Sequence, residues 1–163
     1  MDKQNKEVIC CPVFDPARWN EKMSTWDNKM FIRGTMPQIL HYPFPGIIRR
    51  IMKKLWKQAK EAHAETGQED FLMLTYDLSP WKCEFYMSVK QAVLGADNVQ
   101  LSGTYFTKVF DGPYSRVPQY IHEMDILLTQ KHMLAKKYYF YETACPICDR
   151  RYTVNNIVVF AEI

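Results

Sequence analysis

The chain has 163 residues, 47% of them hydrophobic and 24% charged, with a formal net charge of +3. That length suits one domain able to bury a core without staples. The small charge and the lack of a long basic stripe argue against a nucleic-acid partner, and no apolar run approaches a membrane span.

Residues 1–29 read as an irregular segment rich in Pro, Asp, Asn and Trp, and CPVFDPARW (11–19) carries two prolines. The opening MDKQNKEVICCPVF has no apolar signal core, so a cytoplasmic location is expected. KMFIRGTMPQILHY (29–42) predicts a first strand, interrupted by Gly34 and Pro37. Ile47, Ile48, Ile51, Met52, Leu55, Trp56 and Ala59 then step with a 3.6 period, which predicts an amphipathic helix ended by Gly67. The basic run RRIMKKLWKQAK (49–60) reads as the solvated face of that helix. FLMLTYDL (71–78) reads as a buried strand. KCEFYMSVK (82–90) alternates, with Cys83, Phe85, Met87 and Val89 on one face and Glu84, Tyr86 and Ser88 on the other. NVQLSGTYFTKVF (98–110) predicts a strand, DGPY (111–114) a turn, and Val117, Tyr120, Ile121, Met124, Leu127 and Leu128 a second helix. KKYYFYET (136–143) and NNIVVFAEI (155–163) read as the last two strands.

The order is β-α-β-β twice, with residues 30–90 as one unit and 98–163 as the other. The expected fold is α+β, one domain over 1–163. Two βαββ repeats would form an antiparallel sheet with both helices on one face and a ligand groove on the other.

GTYFTKVFDGPYSRVPQYIHEM (103–124), with its aromatic strand, Gly-Pro-Tyr corner and amphipathic helix, resembles the second repeat of GyrI-like (gyrase-inhibitor-like) small-molecule-binding domains. The terminal strand VVFAEI (158–163) and the two-repeat order resemble that family too. CCPVFDPARW (10–19) and YFYETACPIC (139–148) resemble a bacterial and archaeal branch often labelled hydrolases. The resemblance implies a central groove that holds bulky aromatic or cationic molecules with rings and a buried glutamate. In some members it implies hydrolysis of strained, alkylating rings.

The residues themselves offer three glutamates on ring-bearing strand faces. Glu142 alternates with Tyr138 and Phe140, Glu84 with Tyr86, and Glu162 with Val158 and Phe160. A carboxylate among rings is desolvated, which raises its pKa and suits it to act as a general base or to attract a ligand cation. The competing reading is a cross-strand pair with lysine or a solvated sheet face. Glu142 is the preferred carboxylate and Glu84 the second, with the two able to face each other across the groove. Tyr86 or Tyr138 would orient the ligand. Phe106 or its neighbour Tyr105 would line the groove with Tyr138 and Phe140. Trp19 and Trp26, in the irregular segment, would form a lid over the groove or plug the core edge. Tyr114 fixes the Gly-Pro corner. His41 ends a strand beside Pro43 and could shuttle protons near neutral pH, but no partner is visible in the sequence.

Cys145-Pro-Ile-Cys148 has the shape of a zinc knuckle, and Cys10 and Cys11 are the other close pair. A structural zinc site, free thiols in a hairpin turn, and a redox or disulfide pair all remain open; a strand after the CxxC disfavours redox. The function expected is therefore a small-molecule-binding domain holding an aromatic or cationic ligand, with its hydrolysis by a glutamate base as an extension. A protein-interaction module of gyrase-inhibitor type and a small structural zinc protein are the alternatives.

Overall fold

Among the described residues, seven strands and two α-helices follow one another. They are β1 (Lys22–Ile39), β2 (Tyr42–Pro43), α1 (Ile47–Glu61), β3 (Met73–Ser79), β4 (Lys82–Ser88), β5 (Asp97–Asp111), α2 (Val117–Gln130), β6 (Lys137–Glu142) and β7 (Asn156–Glu162). The computed structural model describes residues 14–44, 46–143 and 156–163. All pairings are antiparallel, in the order β2-β1-β4-β3-β6-β7-β5, and β1 also pairs with β5. The sheet therefore closes into a barrel, with helices packed on its outside. This is an α+β architecture. Among the described residues no helix is long and apolar enough to cross a membrane.

Closure corrects the expectation of an open groove on the helix-free face. Curled into a barrel, that face becomes an interior filled by its own rings. Phe31, Tyr86, Tyr105, Tyr139, Tyr141 and Phe160 pack there with Leu74 and Val158. Period-two alternation sends the next residues outward under the helices. Ile32, Met36, Cys83, Phe85 and Met87 meet Met52, Leu55 and Ala59 of α1. Phe106, Phe110, Phe140, Ile157 and Val159 meet Val117, Tyr120, Met124 and Leu128 of α2. α1 lies so close to β1 that a Cβ on Gly34 would come within 2.7 Å of Ile51 Cγ2.

β1 begins at Lys22, well inside the segment expected to be irregular. Asp27 and Asn28 look like a turn in sequence. Instead they form a bulge, with the register against β5 shifting between Trp26 and Lys29. Asn28 takes φ 50° there, and its N–H donates to Ser102 Oγ at 2.8 Å. The bulge resets the alternation, so Trp26 and Phe31 both turn inward although one number is even and the other odd. Helix α1 stops at a left-handed His63 rather than at Gly67: the Ala64 N–H donates to the Ala59 carbonyl and the His63 N–H to that of Lys60. His132 ends α2 with the same bond pattern, from Met133 to Leu128 and from His132 to Thr129.

The Asp111–Gly112–Pro113 corner leads into a single 3₁₀ turn at Tyr114–Arg116 and then α2. Gly112 has φ 138°, and a Cβ there would sit 2.3 Å from the Tyr120 hydroxyl. That hydroxyl donates to the Asp111 carbonyl at 3.3 Å. Gly112→Ala therefore combines backbone strain with a clash. It is expected to destabilise the protein by about 2 kcal/mol or more, read from the urea midpoint, whereas Gly67→Ala, with open space around its Cβ, is expected to cost much less.

Candidate functional site

The inward face of the barrel carries Glu84 with Tyr86 on β4, and Glu162, next to Tyr105, at the end of β7. Glu84 and Tyr86 both point inward from β4, and the Tyr86 hydroxyl donates to Glu84 Oε2 at 2.5 Å. Arg33 reaches Glu84 Oε1 at 3.6 Å and donates through Nε to Asp97 Oδ2 at 2.8 Å. Burial first, then the hydrogen bond to the Glu84 carboxylate, push the Tyr86 phenol well above its ordinary range and keep it protonated. Glu84 is thus engaged at both oxygens.

Trp19 and Trp26 close over this ring-filled interior. Trp19 lies 5.3 Å from Phe160 and 6.3 Å from Tyr141, centroid to centroid. Trp26 lies 4.2 Å from Tyr105. Both are half-buried, and they pack on the barrel's core. Phe106, Tyr138 and Phe140 face the other way, toward α2. Phe106 and Phe140 are buried there, and the Tyr138 hydroxyl donates to Asp125 of α2. Glu142 follows the same alternation as Tyr138 and Phe140 and stands on the helix side. Glu84 and Glu142 therefore lie on opposite faces of the sheet and cannot face each other across one groove.

The helix side carries a cavity of about 260 Å³. Met36, Ile48, Met52, Met73, Cys83 and Phe85 give it apolar walls, and Pro43 adds to them. Gln38, His41, Thr75, Tyr114 and Glu142 supply its polar groups. β1, β3, β4, β6, α1 and the Tyr114 corner all contribute. β3 and β6 pair over only two residue pairs, Leu74–Tyr141 and Thr75–Phe140. A short seam with helices to either side leaves room that a longer pairing would close.

One arrangement in this cavity was not visible in the sequence. His41 Nδ1 lies 2.6 Å from Asp77 Oδ2, and Gln38 Nε2 donates to Asp77 Oδ1 at 2.6 Å and to the Ser79 carbonyl at 2.7 Å. The partners are 36 residues apart, and only the β1-β4-β3 order brings them together. The usable signal was an acid on the outward face of FLMLTYDL, two strands from the His-bearing turn. Tyr114 is half-buried against the same cavity. Desolvation, with the charges of Asp77 and Glu142 adding, raises its pKa and leaves it a hydrogen-bond donor. Cys83 also lines the cavity, but burial, helped by Asp77, pushes its thiol up to about 12. It is no thiolate nucleophile at neutral pH. The Glu142 residue is open to solvent at the rim, while desolvation by the surrounding protein raises its carboxyl pKa. The direction is upward, and the open rim tempers its size.

Cys10, Cys11, Cys145 and Cys148 lie outside the described residues. Among the described residues no group of three or more His, Cys, Asp and Glu converges as a metal site would.

Residues 1–163 match the family model described as Bacterial hydrolase, and the chain belongs to that family. Comparison with the curated proteins returned no match.

The raised carboxyl has a consequence for stability. The folded state holds the Glu142 proton more tightly than the unfolded chain does. As pH rises from the ordinary value of 4.5 through the raised folded value, the unfolded chain releases its proton first and stability falls. Glu142→Gln removes that loss. The urea midpoint of Glu142→Gln relative to the parent is expected to increase between about pH 4 and about pH 7. A difference that is flat or shrinks across this range would contradict a desolvated Glu142.

Proposed function

We propose, from membership of the bacterial hydrolase family, that the protein binds a small apolar or aromatic molecule in the helix-side cavity and hydrolyses it. The observation that carries this reading is the cavity's lining. Its walls are thioether, aliphatic and ring, and its few polar groups include a base-type side chain, a half-buried phenol and a carboxylate. Pockets of this composition bind ligands through burial and orient them through a few polar contacts. The volume lies near the small end of the usual range of about 300–1,000 Å³, so one aromatic ring with a short substituent fits.

Glu142 retains the role expected from its strand neighbours, as the carboxylate that draws a positive or polarised end of the ligand to the rim. The resemblance to gyrase-inhibitor-like domains, read as two βαββ units, supports the same pairing of rings with a carboxylate. Access is apolar as well. Among the described residues, six of ten exposed large apolar side chains belong to two adjacent hairpins beside the cavity: Ile39, Leu40, Tyr42, Phe44, Leu78 and Trp81. Backbone bonds tie these hairpins together, from the Gln38 N–H to the Trp81 carbonyl and from the His41 N–H to that of Pro80. Under this reading Glu84 and Tyr86 hold the barrel wall and do not meet the ligand.

Benzyltrimethylammonium, a single ring with a fixed cation, is the probe. Calorimetric titration is expected to give binding that weakens by roughly tenfold in Glu142→Gln, the scale of one desolvated cation contact. Met52→Trp, which fills the cavity, is expected to abolish it. Unchanged binding in Met52→Trp would place the ligand elsewhere and overturn the reading.

A further inference from the structure

We infer that His41 is the base that activates water in this cavity, that Asp77 positions it, and that the substrate is an uncharged carboxylic ester of a small apolar or aromatic group. The inference rests on the helix-side cavity being the substrate site and adds the reaction class and the residues that perform it.

The first observation is the relay itself. Asp77 Oδ2 accepts a hydrogen bond from His41 Nδ1–H, which fixes the tautomer with a free lone pair on Nε2. Gln38 donates to the other Asp77 oxygen and to the Ser79 carbonyl, so the carboxylate cannot swing away. A base held by an oriented acid, itself held by a third group, is the arrangement that general-base hydrolysis requires.

The second observation is the backbone that carries the histidine. Ile39 pairs with Tyr42, so Leu40 and His41 form a two-residue hairpin loop. Both have positive φ, 48° at Leu40 and 67° at His41. Loops of this kind favour Asn-Gly, because side chains with a branched or bulky Cβ environment are strained there. Leucine in this place costs stability, whereas histidine tolerates the left-handed region better. Strain kept at a cavity mouth, next to the residue that completes the relay, fits a loop held for chemistry.

The lining selects the substrate class. It contains no lysine or arginine among the described residues and one carboxylate, so phosphate or sulfate esters would enter without a counter-charge. An uncharged acyl carbon needs only a base and a donor. Water attacks the carbonyl carbon and gives its proton to His41 Nε2. The carbonyl oxygen takes up the negative charge, which the protonated Tyr114 hydroxyl can stabilise from the cavity wall. The C–O bond to the leaving group then breaks, the leaving oxygen keeps the electron pair, and it takes the proton back from His41. One ester and one water give one acid and one alcohol.

p-Nitrophenyl acetate, small enough for the cavity, is the substrate probe. His41→Gly suits the loop's backbone and leaves a hole the size of the missing ring. It is expected to lower kcat by about 100-fold or more, with free imidazole restoring part of the rate. Asp77→Asn is expected to lower kcat with KM unchanged. Leu40→Asn is expected to keep activity and raise the melting temperature. Benzyltrimethylammonium should bind parent, His41→Gly and Asp77→Asn alike. Full activity in His41→Gly, or a loss that imidazole leaves untouched in a variant that still binds the cation, would overturn the base assignment while leaving the cavity intact. An inactive parent that still binds the cation would overturn the ester assignment. A parent that binds no cation would overturn the underlying cavity reading instead.

Discussion

The pairing of β1 with β5 is the contact on which the rest of the structure depends. Ten residue pairs, from Lys22–Thr107 to Arg33–Asp97, turn an open sheet into a barrel. In a closed sheet each strand residue is committed to one of two environments, and a shift of one residue would exchange them. The interior takes rings and shuts itself with Trp19 and Trp26. The exterior takes two helices, and the space between helix-covered patches becomes the chamber. Without closure, the ring-bearing face would be the natural place for a ligand. With it, that face is core, and the proposed site lies on the other side of the same strands.

The division also sorts the acids. Glu84, turned inward, is tied between Tyr86 and Arg33, and removing one partner from such a buried cluster costs more than the bond itself is worth. Glu142, turned outward, lines a cavity rather than a packed core, and Asp77, also outward, is bonded to His41 and Gln38 of that lining. Asp77 is held by these two partners, while Glu142 has only partial shelter at a rim. Two carboxylates on the helix side of the sheet, one lining the cavity and one behind His41, stand in unlike surroundings and can take unlike roles.

The sequence made much of this legible and hid the rest for definable reasons. Both helices were readable because their apolar residues recur at 3.6, and the two faces of β4 were separable because Cys83, Phe85 and Met87 alternate with Glu84 and Tyr86. Alternation names two faces but does not say which one will be enclosed. That was decided by β1 meeting β5, some seventy residues apart. The Asp27–Asn28 bulge was read as irregular chain because Asp and Asn serve turns and bulges alike. His41 looked partnerless because its acid arrives through two strand crossings, and Tyr114 looked like a corner residue because its contact with Phe140 comes from β6, later in the chain. Leu40 and His41 gave no hairpin signal, since the loop they form is one that other residues suit better. Places where local preference and tertiary structure disagree are where function is expected to sit.

The claim that the working chamber lies under the helices, not inside the barrel, has a direct test in methionine methyl resonances. Met36, Met52 and Met73 line the cavity, whereas Met124 is buried beneath α2 away from it. In protein labelled at the methionine methyl carbons, titration with p-nitrophenol, the product of the probe ester, is expected to move the signals of Met36, Met52 and Met73 together and leave Met124 in place. Shifts confined to the indole signals of Trp19 and Trp26, with the three cavity methionines unmoved, would put the ligand at the barrel's mouth and contradict the account.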